Sequence, residues 1–155
     1  MATGLVVSIN VSQGGVPKRP VREARVGAAG MAGDAQRWKH HGGPQRAVCL
    51  YALERIEALR AEGHAIGPGA AGENLTLAGL DWDRLAPGAE LRVGEVRLRV
   101  TDFTAPCKKI AGCFADGDFG RISQALHPGW SRLYASVVAA GTVRVGDRVV
   151  VMGDR

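Results

Sequence analysis

The stretch ELRVGEVRLRV, Glu90 to Val100, decides the fold class. Leu91 and Val93 alternate with polar residues, and Val96, Leu98 and Val100 resume the alternation after Gly94-Glu95. Successive side chains on a strand point to opposite faces, so this pattern buries one face and wets the other. Two residues with glycine first suit a type II′ turn, so the stretch predicts a β-hairpin. TVRVGDRVVVM, Thr142 to Met152, repeats the pattern around Gly146-Asp147 and predicts a second hairpin.

Further strands are read outward from these two. LVVSINVS (Leu5 to Ser12) is rich in β-branched residues, VREARV (Val21 to Val26) is short, and AVCLY (Ala47 to Tyr51) and SRLYASVVAAG (Ser131 to Gly141) are apolar. ALERIEALRAEG, Ala52 to Gly63, is the one clear helix. Ala52, Leu53, Ile56 and Leu59 recur at helical spacing, and Gly63 stands where a helix stops. GDFGRISQALHPGW, Gly117 to Trp130, is a loop with room for a short helical turn. Many short strands, one helix and 22 glycines argue for a mainly β chain, a closed or partly open barrel with a few helical turns.

Composition narrows the class. The 155 residues suit one domain, 1–155, and a hydrophobic share of 46% permits a real core. A net charge of +5 favours anionic partners. Aromatic residues are only 5% of the chain, which counts against single-stranded nucleic acid, whose bases stack on aromatic rings. No run approaches the roughly 20 apolar residues of a membrane span. Three cysteines without CxxC spacing argue against a disulfide framework and for a reducing compartment, so a soluble cytoplasmic protein is expected.

Four segments could carry chemistry. In TDFTAPCKKIAGC (Thr101 to Cys113), Pro106 fixes the backbone before Cys107, and Lys108 and Lys109 follow it. Adjacent positive charge favours the thiolate, the form that attacks electrophiles and binds soft metals. The competing reading is a small buried thiol at a strand end, since free cysteine is among the most buried residues. Cys113 is a conceivable resolving partner, and Cys49 reads as core. KHHGGPQRAV (Lys39 to Val48) combines Gly42 and Gly43, which allow close approach of a ligand, with Arg46, which can grip an anion. A polar loop leading into a strand explains it equally well. SQGGVPKRP (Ser12 to Pro20) offers Gly14, Gly15 and Lys18 to a phosphate but lacks P-loop spacing. AAGENL (Ala70 to Leu75) holds Glu73 and Asn74, where a turn opening a strand is the plainer reading. No catalytic triad order, zinc ligand set or dinucleotide fingerprint is present.

Taken in order, VPKRPV (Val16 to Val21), GMAGD (Gly30 to Asp34), HGGPQRAVCLY (His41 to Tyr51), GENLTLAGLDWDRL continuing to Thr101, PCKKI (Pro106 to Ile110) and GTVRVGDRV (Gly141 to Val149) resemble the MOSC domain family. That domain is named after the C-terminal part of molybdenum cofactor sulfurase. The resemblance covers nearly the whole chain and implies a β-barrel fold. It implies that Cys107 either ligates molybdenum in a bound molybdenum cofactor (molybdopterin) or carries sulfur as a persulfide. It further implies a pocket lined by Lys18, Asp34, His41, Gly42, Gly43, Arg46, Glu73 and Asn74, with Lys18 toward the cofactor's phosphate and Asn74 toward its pterin. Relatives with this cofactor reduce N-hydroxylated compounds. The chain has no iron–sulfur cysteine set, so a small-molecule reductase would need a separate electron-donor protein. The alternative is a sulfur carrier that delivers persulfide sulfur to a transfer partner.

Overall fold

The computed structural model describes residues 3–35 and 44–152. The strands are β1 (Thr3–Val11), β2 (Arg19–Val21), β3 (Glu23–Gly27), β4 (Gly30–Met31), β5 (Val48–Ala52), β6 (Leu75–Ala78), β7 (Glu90–Val93), β8 (Val96–Thr104), β9 (Arg132–Ala139), β10 (Gly141–Arg144) and β11 (Arg148–Met152). Seven of them close a barrel in the order β11-β7-β8-β9-β5-β6-β1, with β11 returning to β1 and β2 added outside the ring. β10, β3 and β4 form a separate three-stranded sheet. The closed form of the expected barrel is therefore the one realised, and closure leaves the seven strands no open edge.

The β7–β8 hairpin forms as its sequence predicts. Arg92 pairs with Arg97 and Val93 with Val96, while Leu91, Val93, Val96, Leu98 and Val100 are all buried. Gly94 has φ +58°, the left-handed value that the first position of a type II′ turn demands. Irregular pairing at Arg97/Leu98 and at Val100/Asp102 bends β8 around the barrel toward β9.

The second predicted hairpin is not one. β10 pairs with β3, whereas β11 pairs with β7 and β1, so the two halves of TVRVGDRVVVM enter different sheets. The turn spans Arg144 to Asp147, closed by the Asp147 N–H donating to the Arg144 carbonyl. Glycine is thus the third of its four residues, with φ +93°, a type II arrangement that splays the flanking strands. The Gly146 N–H donates to the Val6 carbonyl and the Val145 N–H to the Arg22 carbonyl, fixing the divergence. The alternating pattern is the same for a hairpin and for two strands that part company.

β5 and β6 are the parallel pair, joined through the predicted helix α1 (Leu53–Ala61). A parallel pair needs a crossover, and α1 supplies it. Ile56 and Leu59 are its buried residues, each contributing about 1.5–3 kcal/mol of burial. The helix ends at Gly63 as expected. There the Gly63 N–H donates to the Arg60 carbonyl and the His64 N–H to the Leu59 carbonyl, the paired bonds of a Schellman stop. Short 3-10 segments cover Pro44–Arg46, Trp82–Arg84, Lys108–Cys113 and Phe119–Ile122. Among the described residues no helix is long and apolar enough to cross a membrane.

Candidate functional site

The polar residues buried inside this apolar barrel gather at one place. β1, β5 and β6 meet there, beside the ends of β8 and β9, where Thr104 pairs with Arg132. Asn10, Glu73, Asn74, Thr76, Thr104, Ser131 and Arg132 are all buried. Buried polar groups cost free energy unless partnered, so their bonds show what each can still offer a ligand.

Asn74 is 1% exposed and brackets the Cys49 peptide. Its backbone N–H donates to the Cys49 carbonyl at 2.8 Å, and its Oδ1 accepts from the Cys49 N–H at 2.9 Å. Its Nδ2 donates to the Asn10 carbonyl at 3.3 Å and to Asp34 Oδ2 at 2.9 Å. Both amide hydrogens are thereby used inside the protein. Asp34 also accepts from the Ser12 N–H and receives Lys18 Nζ at 2.6 Å. The Lys18 and Asp34 side chains are 9% and 3% exposed, so this is a buried ion pair. The GD and PK motifs, sixteen positions apart, converge here because β1 and the chain after it return past the same sheet end.

Glu73 is fully buried behind this wall. Its Oε2 accepts from the Gly69 N–H and from the Thr76 hydroxyl, both at 2.9 Å, while Oε1 has no partner. Burial raises its carboxyl above the usual range, opposed by those hydrogen bonds and by the Arg132 charge. A raised folded value means that the native state holds a proton the unfolded chain has released. The associated stability is present below about pH 4.5, the ordinary glutamate value, and is lost as pH rises through the folded value. Glu73→Gln removes this dependence. In urea unfolding from about pH 4.5 to neutrality, the variant is expected to gain on the wild type as pH rises; parallel curves would refute the assignment.

In front of the wall lies an open cleft of about 110 Å³. About 10–15 Å³ suffices for one water, so it admits a group of several heavy atoms. Gly15, Lys18, Ala35, Cys49, Asn74, Thr104, Cys107, Lys109, Arg132 and Tyr134 are among its lining residues. Cys107 enters it from the turn after β8. It is the extended residue before the Lys108–Cys113 segment, its carbonyl accepts from the Ile110 N–H, and it is half-buried. All three thiols are free. Cys49 also lines the cleft but is buried, with Sγ 3.7 Å from Thr104 Oγ1, and burial pushes its thiol up. Cys113 is buried and donates to the Ala70 carbonyl.

The predicted residues thus fall into groups. Lys18, Asn74 and Cys107 line the cleft, Asp34 ties Lys18 and Asn74 together, and Glu73 sits behind. Arg46 lies outside the lining and places its guanidinium 5.2 Å from the ring of Tyr134, whose own ring borders the cleft. Gly14 gives its N–H to Ser12 Oγ. His41, Gly42 and Gly43 lie outside the described residues.

Arg132 escapes the sequence reading. It is 6% exposed, lines the cleft and donates through Nη1 to the Ala71 carbonyl, and its Nε has no acceptor. The signal available was a charged residue opening the otherwise apolar strand RLYASVVA.

The geometry agrees with the comparisons. A MOSC domain family model matches residues 37–150. The chain is 31% identical over 138 residues to the uncharacterized protein YflK of Bacillus subtilis (strain 168), covering 85% of this chain and 60% of that one. It is 34% identical over 120 residues to the protein YiiM of Escherichia coli (strain K12), covering 74% and 52%. It therefore spans little more than half the length of these curated relatives. The crystal structure of YiiM from Geobacillus stearothermophilus superposes with a TM-score of 0.75 at 27% identity, over 96% of this chain and 75% of that one. YuaD of Bacillus subtilis, at 14% identity and a TM-score of 0.76, shares the fold. Barrel, cleft cysteine and family match coincide, and the chain belongs to the MOSC domain family.

Proposed function

We propose that this chain binds the molybdenum cofactor in the Cys107 cleft and supports the reduction of small N-hydroxylated compounds. The observation that carries the reading is the cleft itself. A half-buried thiol opens onto a lining with three cationic residues, Lys18, Lys109 and Arg132, and among the described residues no carboxylate. MOSC domains are associated with this cofactor.

The lining fits such a group. Molybdenum accepts thiolate sulfur, which Cys107 can supply, and the cofactor's phosphate calls for cations. Lys18 serves this differently from a free lysine, because its charge is already held by Asp34. When bound, the cofactor supplies the redox chemistry. The chain's residues position it: Cys107 offers the sulfur, Asn74 and Asp34 brace the wall, and Tyr134 borders the cleft. Converting an N-hydroxyl to N–H and water takes up two electrons and two protons. We assign the electrons to a separate donor protein and the setting to a reducing cytoplasm, which suits three free thiols.

Metal and pterin analysis of freshly purified protein, beside Cys107→Ser, tests this. The expected result is molybdenum with pterin in the wild type and loss of molybdenum in the variant. The Cys107 side chain caps no backbone N–H, so the substitution should cost less than about 1 kcal/mol of stability and leave the fold intact. Accessibility of the Cys107 thiol favours a second reading, a carrier holding sulfur there as a persulfide for a transfer partner. Absence of molybdenum, with cyanide-labile sulfur that disappears in Cys107→Ser, would replace the first reading with the second.

A further inference from the structure

We propose that His64 is a proton-sensitive latch on the segment that presents Cys107. Its neutral imidazole ties that segment to the loop before β6, and a proton on Nδ1 loosens it. The proposal rests on the reading of Cys107 as the working residue of the cleft, and it adds a positioning residue from outside the lining.

Two segments supply much of the lining: Ala71 and Gly72 from the loop before β6, and Ala105, Cys107, Lys109 and Ile110 from the chain after β8. Two side-chain hydrogen bonds join these segments. Cys113 Sγ donates to the Ala70 carbonyl at 3.4 Å, and the Ala115 N–H donates to His64 Nδ1 at 3.1 Å. His64 is a firm anchor. Its backbone N–H is fixed to the Leu59 carbonyl at the stop of α1, its side chain is 11% exposed, and its ring meets that of buried Phe114 edge-on, with centroids 5.2 Å apart. An imidazole nitrogen that accepts a hydrogen bond carries no proton, so the Ala115 bond requires the tautomer protonated at Nε2. Nε2 lies 3.5 Å from Glu62 Oε1, an acceptor for that proton. In the imidazolium both nitrogens donate, so Nδ1–H faces the Ala115 N–H donor to donor and the bond is lost. The charged neighbours are already engaged. Glu62 accepts from Arg121 Nε at 2.9 Å and Nη2 at 2.7 Å, and the Arg121 guanidinium lies 4.0 Å from the centre of the Trp130 ring. Beyond Ala115, Asp116 Oδ1 accepts from the Asp118 N–H. Ala115 itself is exposed, so its freed N–H passes to water and the segment can loosen without trapping a donor.

Protein freed of any cofactor is followed from about pH 8 to about pH 5, the span over which imidazoles take up a proton. Amide hydrogen exchange reads Ala115, each rate being divided by that of an unstructured peptide at the same pH. His64→Asn is the comparison, because its Oδ1 can stand where Nδ1 stands and does not titrate. The wild type is expected to lose about fivefold of its Ala115 protection as pH falls, the scale of one hydrogen bond, while the variant keeps its own. Cys107 is labelled in parallel with 2,2′-dipyridyl disulfide and read by peptide mapping. Dividing the wild-type rate by the variant's removes the thiol's own titration, and the quotient should rise by up to about fivefold toward the acid end. Nitrogen chemical shifts of the wild-type imidazole at the alkaline end should show Nδ1 bare and Nε2 protonated. That readout and the wild-type exchange need no variant, so they decide the matter if the asparagine protein does not fold. The opposite tautomer, wild-type Ala115 protection that does not change with pH, or a flat labelling quotient would each overturn the latch. No readout uses pterin or metal, so an empty result in the molybdenum analysis leaves the latch standing, and failure of the latch leaves that analysis untouched.

Discussion

Asp34→Ala is expected to destabilise the protein by about 3–5 kcal/mol in urea unfolding, with the slope of the transition unchanged. Removing the carboxylate leaves Lys18, whose side chain is 9% exposed, as an uncompensated and largely desolvated charge at the wall of the cleft. It also strips an acceptor from the Ser12 N–H and from Asn74 Nδ2. The charge is the larger part of the loss. Adding Lys18→Met to Asp34→Ala should therefore recover about 1–3 kcal/mol, because it deletes the stranded ammonium and keeps the aliphatic packing. Strict additivity of the two single losses would refute the buried pair and leave Lys18 solvated. The result bears on function directly. If Lys18 is committed to Asp34, its substitution should act through stability and not through anion affinity.

How much of this was legible in the sequence depends on the range over which the physics acts. Alternation around Gly94-Glu95 identified the β7–β8 hairpin because turn and register are set within eleven residues. The stop of α1 at Gly63 was equally local. The same alternation around Gly146-Asp147 misled, because the partner of β10 is β3, more than a hundred residues earlier. Nothing local distinguishes a glycine in the second place of a turn from one in the third. Barrel closure by β11 on β1 is likewise invisible, since it joins the two ends of the described chain.

The candidate site shows the same division. The resemblance supplied Cys107, and the structure sets it on a cleft shared with Lys18 and Asn74. Residue chemistry alone could not say that Asn74 and Asp34 spend their hydrogen-bonding capacity on each other and on Cys49, Ser12 and Lys18. An asparagine that could read a ligand's edge and one that braces a wall have the same side chain. Their difference lies in partners 25 to 64 positions away. Arg132 was missed because a single arginine at a strand start is ordinary on an exposed face, and only burial makes it a candidate.

Asn74→Ala should cost about 3–4 kcal/mol, nearly as much as the loss of Asp34, although no charge is removed. The side chain makes three hydrogen bonds in a fully buried setting: it accepts from the Cys49 N–H and donates to the Asn10 carbonyl and to Asp34 Oδ2. Alanine leaves all three partners without Asn74 in a space that excludes much of the water that might replace it. Each orphaned buried group costs about 1–3 kcal/mol, partly relieved where water from the cleft that Asn74 lines takes the place of the lost amide. Asn74→Asp separates geometry from charge. It keeps the acceptor for the Cys49 N–H but turns the donor facing Asp34 into a second carboxylate oxygen. That variant should be markedly less stable at neutral pH than in mild acid, where one of the facing carboxylates takes up a proton and restores a donor. If both substitutions cost less than about 1 kcal/mol, Asn74 is free to meet a ligand instead of bracing the wall. If they cost what the geometry requires, the cleft beside Cys107 is a rigid, pre-formed site, and its ligand specificity is left to the groups with donors still to give.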